Sequence, residues 1–269
     1  MSQKGNSGYK GFDGRFTVTA STNDTFGHIQ REQHFLERTQ GRLAPVTGGT
    51  VVYIPDYINE TFERGSFSGE PAEYTWTVVN GSETNYWVVG DDRPAATTGG
   101  TYSAYVTNGT GTANPSDNVY TDGGGADSHI YMDFKVPSDV IVNPAFGQET
   151  MDMHFWWRCL GESTTNPGTA YDYGALGFVS TAVTPTAGVA FTTNLIGGGT
   201  QVPGEYSVQY ITPQNYTVWY KETFILSVSG VTGESLRLVW TWHDDAAAGT
   251  AGNPPMAIDN IVFGYSAQT

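Results

Sequence analysis

The chain has 269 residues and a formal net charge of −15, with 27 acidic and 12 basic side chains. This excess of negative charge repels phosphates and excludes nucleic acid as the main partner. A single cysteine, Cys159, excludes an internal disulfide. No apolar run approaches the roughly 20 residues that cross a bilayer, so we expect no membrane insertion.

The first 48 residues differ in charge from the rest. Residues 1–45 contain six basic and four acidic side chains, whereas the remaining 224 residues contain 6 basic and 23 acidic ones. One short helix is expected over about 27–40, beginning after Asn23, Asp24 or Thr25 as a cap and ending at Gly41. Its apolar stripe is too thin to anchor a separate core. We therefore predict an extended arm over residues 1–48, which is either a docking segment or a leader without a role.

From Val51 onward, apolar and polar residues alternate, which is typical of strands with one buried face. Glycine, proline, asparagine and threonine clusters separate the strands, and several loops are too long for simple hairpins. Eight or nine such strands predict an all-β, antiparallel β-sandwich of the jelly-roll type over residues 49–269. The predicted strands are 74–79, 102–107, 129–136, 151–159, 174–179, 222–228, 236–242 and 257–263.

Catalytic signatures of the common kinds are missing from the sequence. It contains no Gly-x-Ser-x-Gly elbow, no phosphate-cradling loop and no His-Glu-x-x-His zinc pair. Carboxylates are plentiful, but none is marked as half of the pair that a glycosidase needs. Cys159 falls on the apolar face of its strand, where an inert core thiol is expected. We therefore expect a non-enzymatic protein.

Three strand-and-loop phrases carry a resemblance to a known family. They are NYWVVG at 85–90 with GTYSAYVTN at 100–108, FWWRCLGE at 155–162 with YDY at 171–173, and WTWHDD at 240–245 with NPPMAIDNI at 253–261. Over residues 50–265 the chain resembles the MAM-like jelly rolls known as choice-of-anchor or cleaved-adhesin domains. Those domains occur in bacterial surface proteins and in bacteriophage virion proteins. The resemblance implies a binding or structural module that is related in shape to carbohydrate-binding domains.

The resemblance also implies a structural calcium ion that ties the first strand to the last. The matching positions are Glu63 and Asp259, and neighbouring backbone oxygens would complete the shell that such a hard cation requires. The alternative is that Asp259 only caps or hydrogen-bonds a loop. No other cofactor is expected.

Arg158 has two interpretations. In the first, it forms an ion pair with Glu162 or Asp172 and so fixes the following loop. In the second, it belongs to a sugar-binding platform, because aromatic faces stack on the apolar faces of sugar rings while charged groups hydrogen-bond the hydroxyls. The platform residues would be Trp156, Arg158, Tyr171 and Tyr173.

Together these features favour a non-enzymatic bacteriophage virion structural protein, such as a head decoration, fibre or tail component. We expect its arm to contact other virion proteins and its jelly roll to face outward, toward host surface glycans. The amino terminus lacks the apolar segment of a secretory signal, and no sorting tail follows the last strand, so we expect synthesis in the host cytoplasm and assembly into the virion. The alternative is a secreted adhesin or glycan-binding domain at the bacterial cell surface. A homo-oligomer is compatible with both.

Overall fold

The computed structural model describes residues 51–91, 100–109, 119–125, 127–159, 161–163, 170–191, 200–201, 219–247 and 255–268. The arm predicted for residues 1–48, with its helix, lies outside this part of the chain. All regular elements of the described residues are β-strands. Consequently, no helix in these ranges has the length and hydropathy of a membrane span.

The described residues form thirteen strands, three of which contain only two residues. In chain order they are β1 (Val51–Glu60), β2 (Tyr74–Val79), β3 (Tyr86–Gly90), β4 (Ser103–Thr107), β5 (Asp127–Lys135), β6 (Val142–Asn143), β7 (Gln148–Arg158), β8 (Glu162–Ser163), β9 (Ala170–Ser180), β10 (Thr200–Gln201), β11 (Tyr220–Ser227), β12 (Ser235–His243) and β13 (Ala257–Gln268).

These strands form two sheets. Sheet A has the order β10-β11-β7-β13-β4-β3, with β1 paired to the second half of β13 and β6 paired to β7. Sheet B has the order β2-β5-β12-β9-β8. All pairings are antiparallel except the two-residue pair of β10 with β11.

From β4 onward, the chain crosses from one sheet to the other at each step between strands longer than two residues. β4, β7, β11 and β13 belong to sheet A, and the intervening β5, β9 and β12 belong to sheet B. This alternation is the connectivity of a jelly roll, in which neighbouring strands of a sheet are distant in sequence. The predicted all-β, antiparallel jelly-roll sandwich is therefore confirmed.

The core lies between the two sheets and follows the alternation that the sequence predicted. Met151, Met153 and Phe155 of β7 face Leu238 and Trp240 of β12 within one buried cluster. Burial raises the pKa of the Cys159 thiol to about 12, so this side chain is a protonated member of the core.

The last strand is longer than predicted, since β13 continues to Gln268. The strand contains a β-bulge between Asp259 and Val262. Asn260 takes a left-handed conformation there, with a φ of 48°. The extra residue breaks the period of two, so the alternation read from Ala257 does not continue in phase across the bulge.

The outer face of sheet B is covered at its centre by the segment 181–191. Val183 and Phe191 pack on Ala175, Val179 and Val239, forming a second, small apolar cluster. The central part of this face is therefore buried within the chain itself.

Candidate functional site

The outer face of sheet A carries the side chains of β7 that do not enter the core. Met153 and Phe155 face sheet B, so His154, Trp156 and Arg158 point the opposite way because side chains alternate along a strand. All three are half-buried. Strand alternation thus places the predicted Trp156 and Arg158 next to each other on one face.

β11 and the residue before it bring a second cation, Lys221, and a second tryptophan, Trp219, to this face. Lys221 is the register partner of Trp156, and the guanidinium carbon of Arg158 lies 5.9 Å from the centroid of the Trp219 ring. Lys221 is exposed and Trp219 is half-buried. We call these four residues, Trp156, Arg158, Trp219 and Lys221, the indole–cation patch.

On the other side of β7, the outer face carries the small residue Ala257 of β13, followed by Tyr105 of β4. Ala257 is the register partner of both Arg158 and Tyr105. A Cβ atom at Gly90 would lie 2.5 Å from the Tyr105 hydroxyl, which shows that the Tyr105 ring lies close over the sheet. Ala257 and Tyr105 are both buried, so the outer face of sheet A is covered on this side of the patch.

The titratable groups beside the patch have shifted pKa values. Burial, followed by repulsion from Lys221, lowers the pKa of His154 to about 4, so His154 is neutral at pH 7. Burial raises the pKa of Asp152 to about 6, while a hydrogen bond donated by Tyr53 lowers it. At neutral pH the positive charge near Trp156 thus comes from Arg158 and Lys221.

Tyr171 and Tyr173, the other half of the predicted platform, lie on β9 in sheet B. Tyr173 pairs in register with His243, and their ring centroids are 4.9 Å apart. His243 Nδ1 donates to Asp127 Oδ1 at 2.8 Å, and this hydrogen bond raises the pKa of His243. The structure therefore brings Trp156 and Arg158 together but places the two tyrosines on the other sheet.

Sequence reasoning did not identify Trp219 and Lys221. The predicted strand began at residue 222, whereas β11 begins at Tyr220. The available signal was the alternation of Trp219, Lys221 and Thr223 against Tyr220, Glu222 and Phe224. Extending the period of two backward by a few residues would have found them.

Of the two predicted calcium ligands, Glu63 lies in the loop after β1 and Asp259 lies in β13. Glu63 Oε1 accepts hydrogen bonds from the backbone N–H groups of Thr101 (2.7 Å) and Tyr102 (3.0 Å), just before β4. Asp259 is fully buried, directly follows the β13 residues that pair with β4, and accepts a bond from Asn260 N at 2.7 Å. Among the described residues, no group of three acidic, histidine or cysteine ligands includes either residue. The calcium site at this pair stays a prediction.

A different acidic cluster lies at one end of the sandwich. Carboxylate oxygens of Asp122, Asp172 and Asp244 all lie within 4.8 Å of one another. The predicted ion pair of Asp172 with Arg158 does not form, because Asp172 accepts hydrogen bonds from the Tyr120 hydroxyl (2.6 Å) and from Asp245 N (3.1 Å).

The electrostatics of this triad favour a bound cation. The pKa of Asp172 is raised to about 6. Burial is the largest cause, and the charges of Asp244 and Asp122 also contribute. Burial also raises the pKa of Asp244. Because hard cations take carboxylate oxygens as ligands, the triad can hold a metal ion. No sequence pattern marks this triad, since the three residues are far apart along the chain.

Neither a protein-family model nor a curated protein sequence matches the chain, so its resemblance to MAM-like domains stays a prediction. Among solved structures, the chain is similar to the enzymatically active domain of tailspike protein 4 of bacteriophage CBA120. That match covers 78% of this chain and 21% of the tailspike chain, with 11% identity and a TM-score of 0.37.

Two carbohydrate-binding modules also match. The CBM22-1 xylan-binding domain from Paenibacillus barcinonensis aligns over 80% of this chain and 94% of its own, with 12% identity and a TM-score of 0.36. TmCBM61, solved in complex with β-1,4-galactotriose, aligns over 80% of this chain and 99% of its own, with 14% identity and a TM-score of 0.35. The jelly-roll architecture of this chain is established by its own strand order.

Proposed function

We propose that this jelly roll is a non-enzymatic carbohydrate-binding module whose ligand lies on the outer face of sheet A. The observation that carries the proposal is the half-buried Trp156 on the outer face of sheet A, with the exposed Lys221 beside it in register. An indole held in this way presents an apolar face with polar groups at its edge. Sugar rings have the complementary character, with apolar C–H faces and hydroxyls around the rim.

The centre of the outer face of sheet B is occupied by residues of the chain itself. On sheet B, Val183 and Phe191 already cover Ala175, Val179 and Val239. On sheet A, the centre of the face carries Trp156 and its neighbours. This difference supports sheet A over the Tyr171 and Tyr173 side as the binding surface.

The burial of the acidic triad supports a non-enzymatic role. A catalytic acid or base must come within hydrogen-bond reach of the reacting atoms. Asp172, whose pKa is raised to about 6, is 1% exposed and is engaged by Tyr120 and Asp245. A polysaccharide cannot approach it without opening the end of the sandwich. Incubation with the polymers that the protein binds should leave their viscosity unchanged, and a fall in viscosity would contradict this part of the proposal.

The direct test compares Trp156→Ala with Tyr171→Ala. The full-length protein is screened on a glycan array, and its affinity for the retained glycans is measured by calorimetry. We expect Trp156→Ala to weaken binding about tenfold or more, since it removes the stacking surface, and Tyr171→Ala to leave binding unchanged. Circular dichroism of each variant controls for the fold. An array without any retained glycan, or full affinity in Trp156→Ala, would refute the proposal.

We further propose that the module belongs to a virion and that residues 1–48 attach it to other virion proteins. The support is the division of charge, since residues 1–45 carry a net positive charge and the remainder is strongly acidic. A variant that lacks residues 1–48 should keep the β-sheet signature of the full chain and yet be missing from purified particles. Its normal incorporation would reject the docking role and leave the secreted adhesin as the better interpretation.

A further inference from the structure

The segment 181–191, which covers the centre of the outer face of sheet B, is bonded at its middle to a buried histidine of β5. We infer that the segment is an acid-sensitive cover, which stays closed at neutral pH and opens when His129 takes up a proton. The inference concerns the sheet opposite to the proposed carbohydrate-binding face and does not depend on that proposal. It is carried by the hydrogen bonds of His129, by its complete burial and by the composition of the segment.

Hydrogen bonds and a small apolar cluster, rather than strand pairing, attach the segment to sheet B. Its residues belong to no strand, and the Gly188 N–H donates to the backbone oxygen of Asp127 at 2.8 Å. Near the start of the segment, the Val183 backbone oxygen accepts a bond from Arg237 at 2.7 Å. Val183 and Phe191 supply the apolar contacts. Segments attached in this way open at a lower free-energy cost than the whole fold, so this one can open while the sandwich stays folded.

His129 lies beneath the middle of the segment and is fully buried there. Its Nε2 is 3.1 Å from the backbone oxygen of Thr186, and its Nδ1 is 2.9 Å from the hydroxyl oxygen of Thr241. Since a carbonyl oxygen can only accept, the neutral ring carries its proton on Nε2 and accepts at Nδ1 from the Thr241 hydroxyl. The Phe191 ring lies against the imidazole, with 6.2 Å between the ring centroids. The segment therefore both bonds the imidazole and shields it from water.

Protonation of His129 is disfavoured while the segment is closed. Burial lowers its pKa from the ordinary value of 6.5 and outweighs the backbone oxygen of Thr186 and the charge of Asp127, which raise it. Once the segment lifts, the imidazole meets water and its pKa returns toward the ordinary value. The open form then binds the proton more tightly than the closed form. The contribution of His129 to closure is thus complete well above about pH 6.5 and is lost as the pH falls below it.

The segment cannot respond to acid through its own side chains, because residues 181–191 contain no ionisable group. In the register of sheet B, the charged groups nearest to His129 are Asp127 and Asp133 of β5 and Arg237 and His243 of β12, while Glu83 lies beside Gly188 of the segment. Arg237 and Asp133 are bonded to each other. A hydrogen bond to Asp127 raises the pKa of His243, so acid strengthens that contact instead of breaking it. His129 is therefore the group through which acid releases the segment.

Opening of the segment changes the chemical character of the outer face of sheet B. Beneath the segment, Ala175, Val179 and Val239 are at most 1% exposed in the closed form. Tyr131 and Tyr173 pack against the same cluster. At acidic pH the protein thus presents an apolar and aromatic surface that it conceals at neutral pH.

Hydrogen–deuterium exchange of the full-length protein at pH 7.5 and pH 5.0, corrected for the pH dependence of chemical exchange, measures this opening. We expect the amides of residues 181–191 to lose about tenfold or more of their protection at pH 5.0, while those of β7 and β13 keep theirs. His129→Gln keeps an N–H donor for Thr186 but cannot take up a proton, so its segment should be equally protected at both pH values. His154→Gln, which removes a histidine of sheet A, and Glu83→Gln should both respond to acid as the parent chain does.

A titration of the His129 ring protons by NMR tests the same inference without any substitution. We expect a midpoint below pH 6.5, and a midpoint at or above that value would overturn the inference. Equal protection of the parent segment at both pH values would also overturn it, as would an acid response that persists in His129→Gln. If the amides of β7 and β13 lose protection by the same factor as the segment, acid loosens the whole sandwich and the cover is not a separate device.

Discussion

Asp152 shows how a single carboxyl group is destabilised by its position on the outer face of sheet A. It lies between Ile225 and Gly264 in the register of the sheet, and Tyr53 donates a hydrogen bond to it. Burial raises its pKa from 3.8 to about 6. A raised carboxyl pKa means that the folded state binds the proton more tightly than the unfolded state. Its contribution to stability is therefore greatest below about pH 4 and is lost as the pH rises to about 6.

We predict that Asp152→Asn stabilises the protein at neutral pH. The amide keeps the acceptor for Tyr53 and removes the buried charge, so the free energy of unfolding at pH 7 should rise by about 1–2 kcal/mol. At pH 4 the variant and the parent chain should be equally stable. Urea unfolding at both pH values measures the difference, with Asp91→Asn as an exposed control. A variant that is less stable than the parent at pH 7 would show that the carboxylate is favourably held.

The neighbouring His154 titrates with the opposite sign. Its pKa is lowered to about 4, so its contribution to stability falls as the pH drops below about 6.5. In the parent chain this loss offsets the gain from Asp152 over the same range. Asp152→Asn should therefore reveal a decline in stability below pH 6 that the parent chain largely conceals.

At the scale of elements, Arg237 bonds the start of the segment 181–191 to sheet B. Arg237 is 5% exposed, and its guanidinium carbon lies 3.8 Å from the centroid of the Tyr131 ring. Its Nε and Nη2 donate to the two carboxylate oxygens of Asp133 at 2.6 and 2.8 Å. Its Nη1 donates to the backbone oxygen of Val183 at 2.7 Å and to the Thr184 hydroxyl at 3.1 Å.

We predict that Arg237→Lys releases this segment although it keeps the charge. A lysine cannot satisfy both the paired contact with Asp133 and the bonds to Val183 and Thr184, so the cost should be about 2 kcal/mol or more. Thermolysin should then cleave within 181–191 under native conditions, and urea unfolding should occur at a lower midpoint. Lys135→Gln, on the adjacent strand of the same sheet, should behave like the parent chain. Equal protection from thermolysin in Arg237→Lys would mean that the apolar packing of Val183 and Phe191 and the hydrogen bonds of Thr186 and Gly188 to β5 hold the segment without Arg237.

Strand elements with uninterrupted alternation could be predicted from the sequence, because a period of two identifies the buried face directly. β2 was predicted at its observed bounds, and the inward residues of β7 and β12 were predicted correctly. The continuation of β13 beyond Phe263 was missed, although Phe263, Tyr265 and Ala267 keep the period of two and belong to the core. Alternation also does not tell which sheet a strand joins. For this reason Trp156 and Tyr171 were grouped in one site although they lie on different sheets.

The acidic triad could not be predicted for a related reason. Asp122 and Asp172 are 50 positions apart, and Asp244 follows 72 positions later. Their carboxylates come within 4.8 Å of one another because β5, β12 and β9 are neighbours in sheet B. No local pattern marks them, because each one reads as an ordinary loop or strand-end acid.

At the scale of the whole molecule, the calcium prediction is testable through stability. A ligand that binds only the folded state stabilises it by about 2.7 kcal/mol when present at one hundred times its Kd. We expect millimolar Ca²⁺ to raise the unfolding temperature and EDTA to lower it. Glu63→Gln should abolish the effect if the ion joins β1 to β13, whereas Asp244→Asn should abolish it if the ion lies at the triad. An unfolding temperature that neither Ca²⁺ nor EDTA changes would end the prediction for both locations.

The central claim is that the outer face of sheet A is the carbohydrate-binding surface of the molecule. The most direct measurement is a crystal structure of the full chain with an oligosaccharide of the glycan that it retains on the array. We predict a sugar ring stacked on Trp156, with its polar substituents directed toward Arg158 and Lys221. A ligand seated instead on the sheet B side, against Tyr171 and Tyr173, would contradict the account.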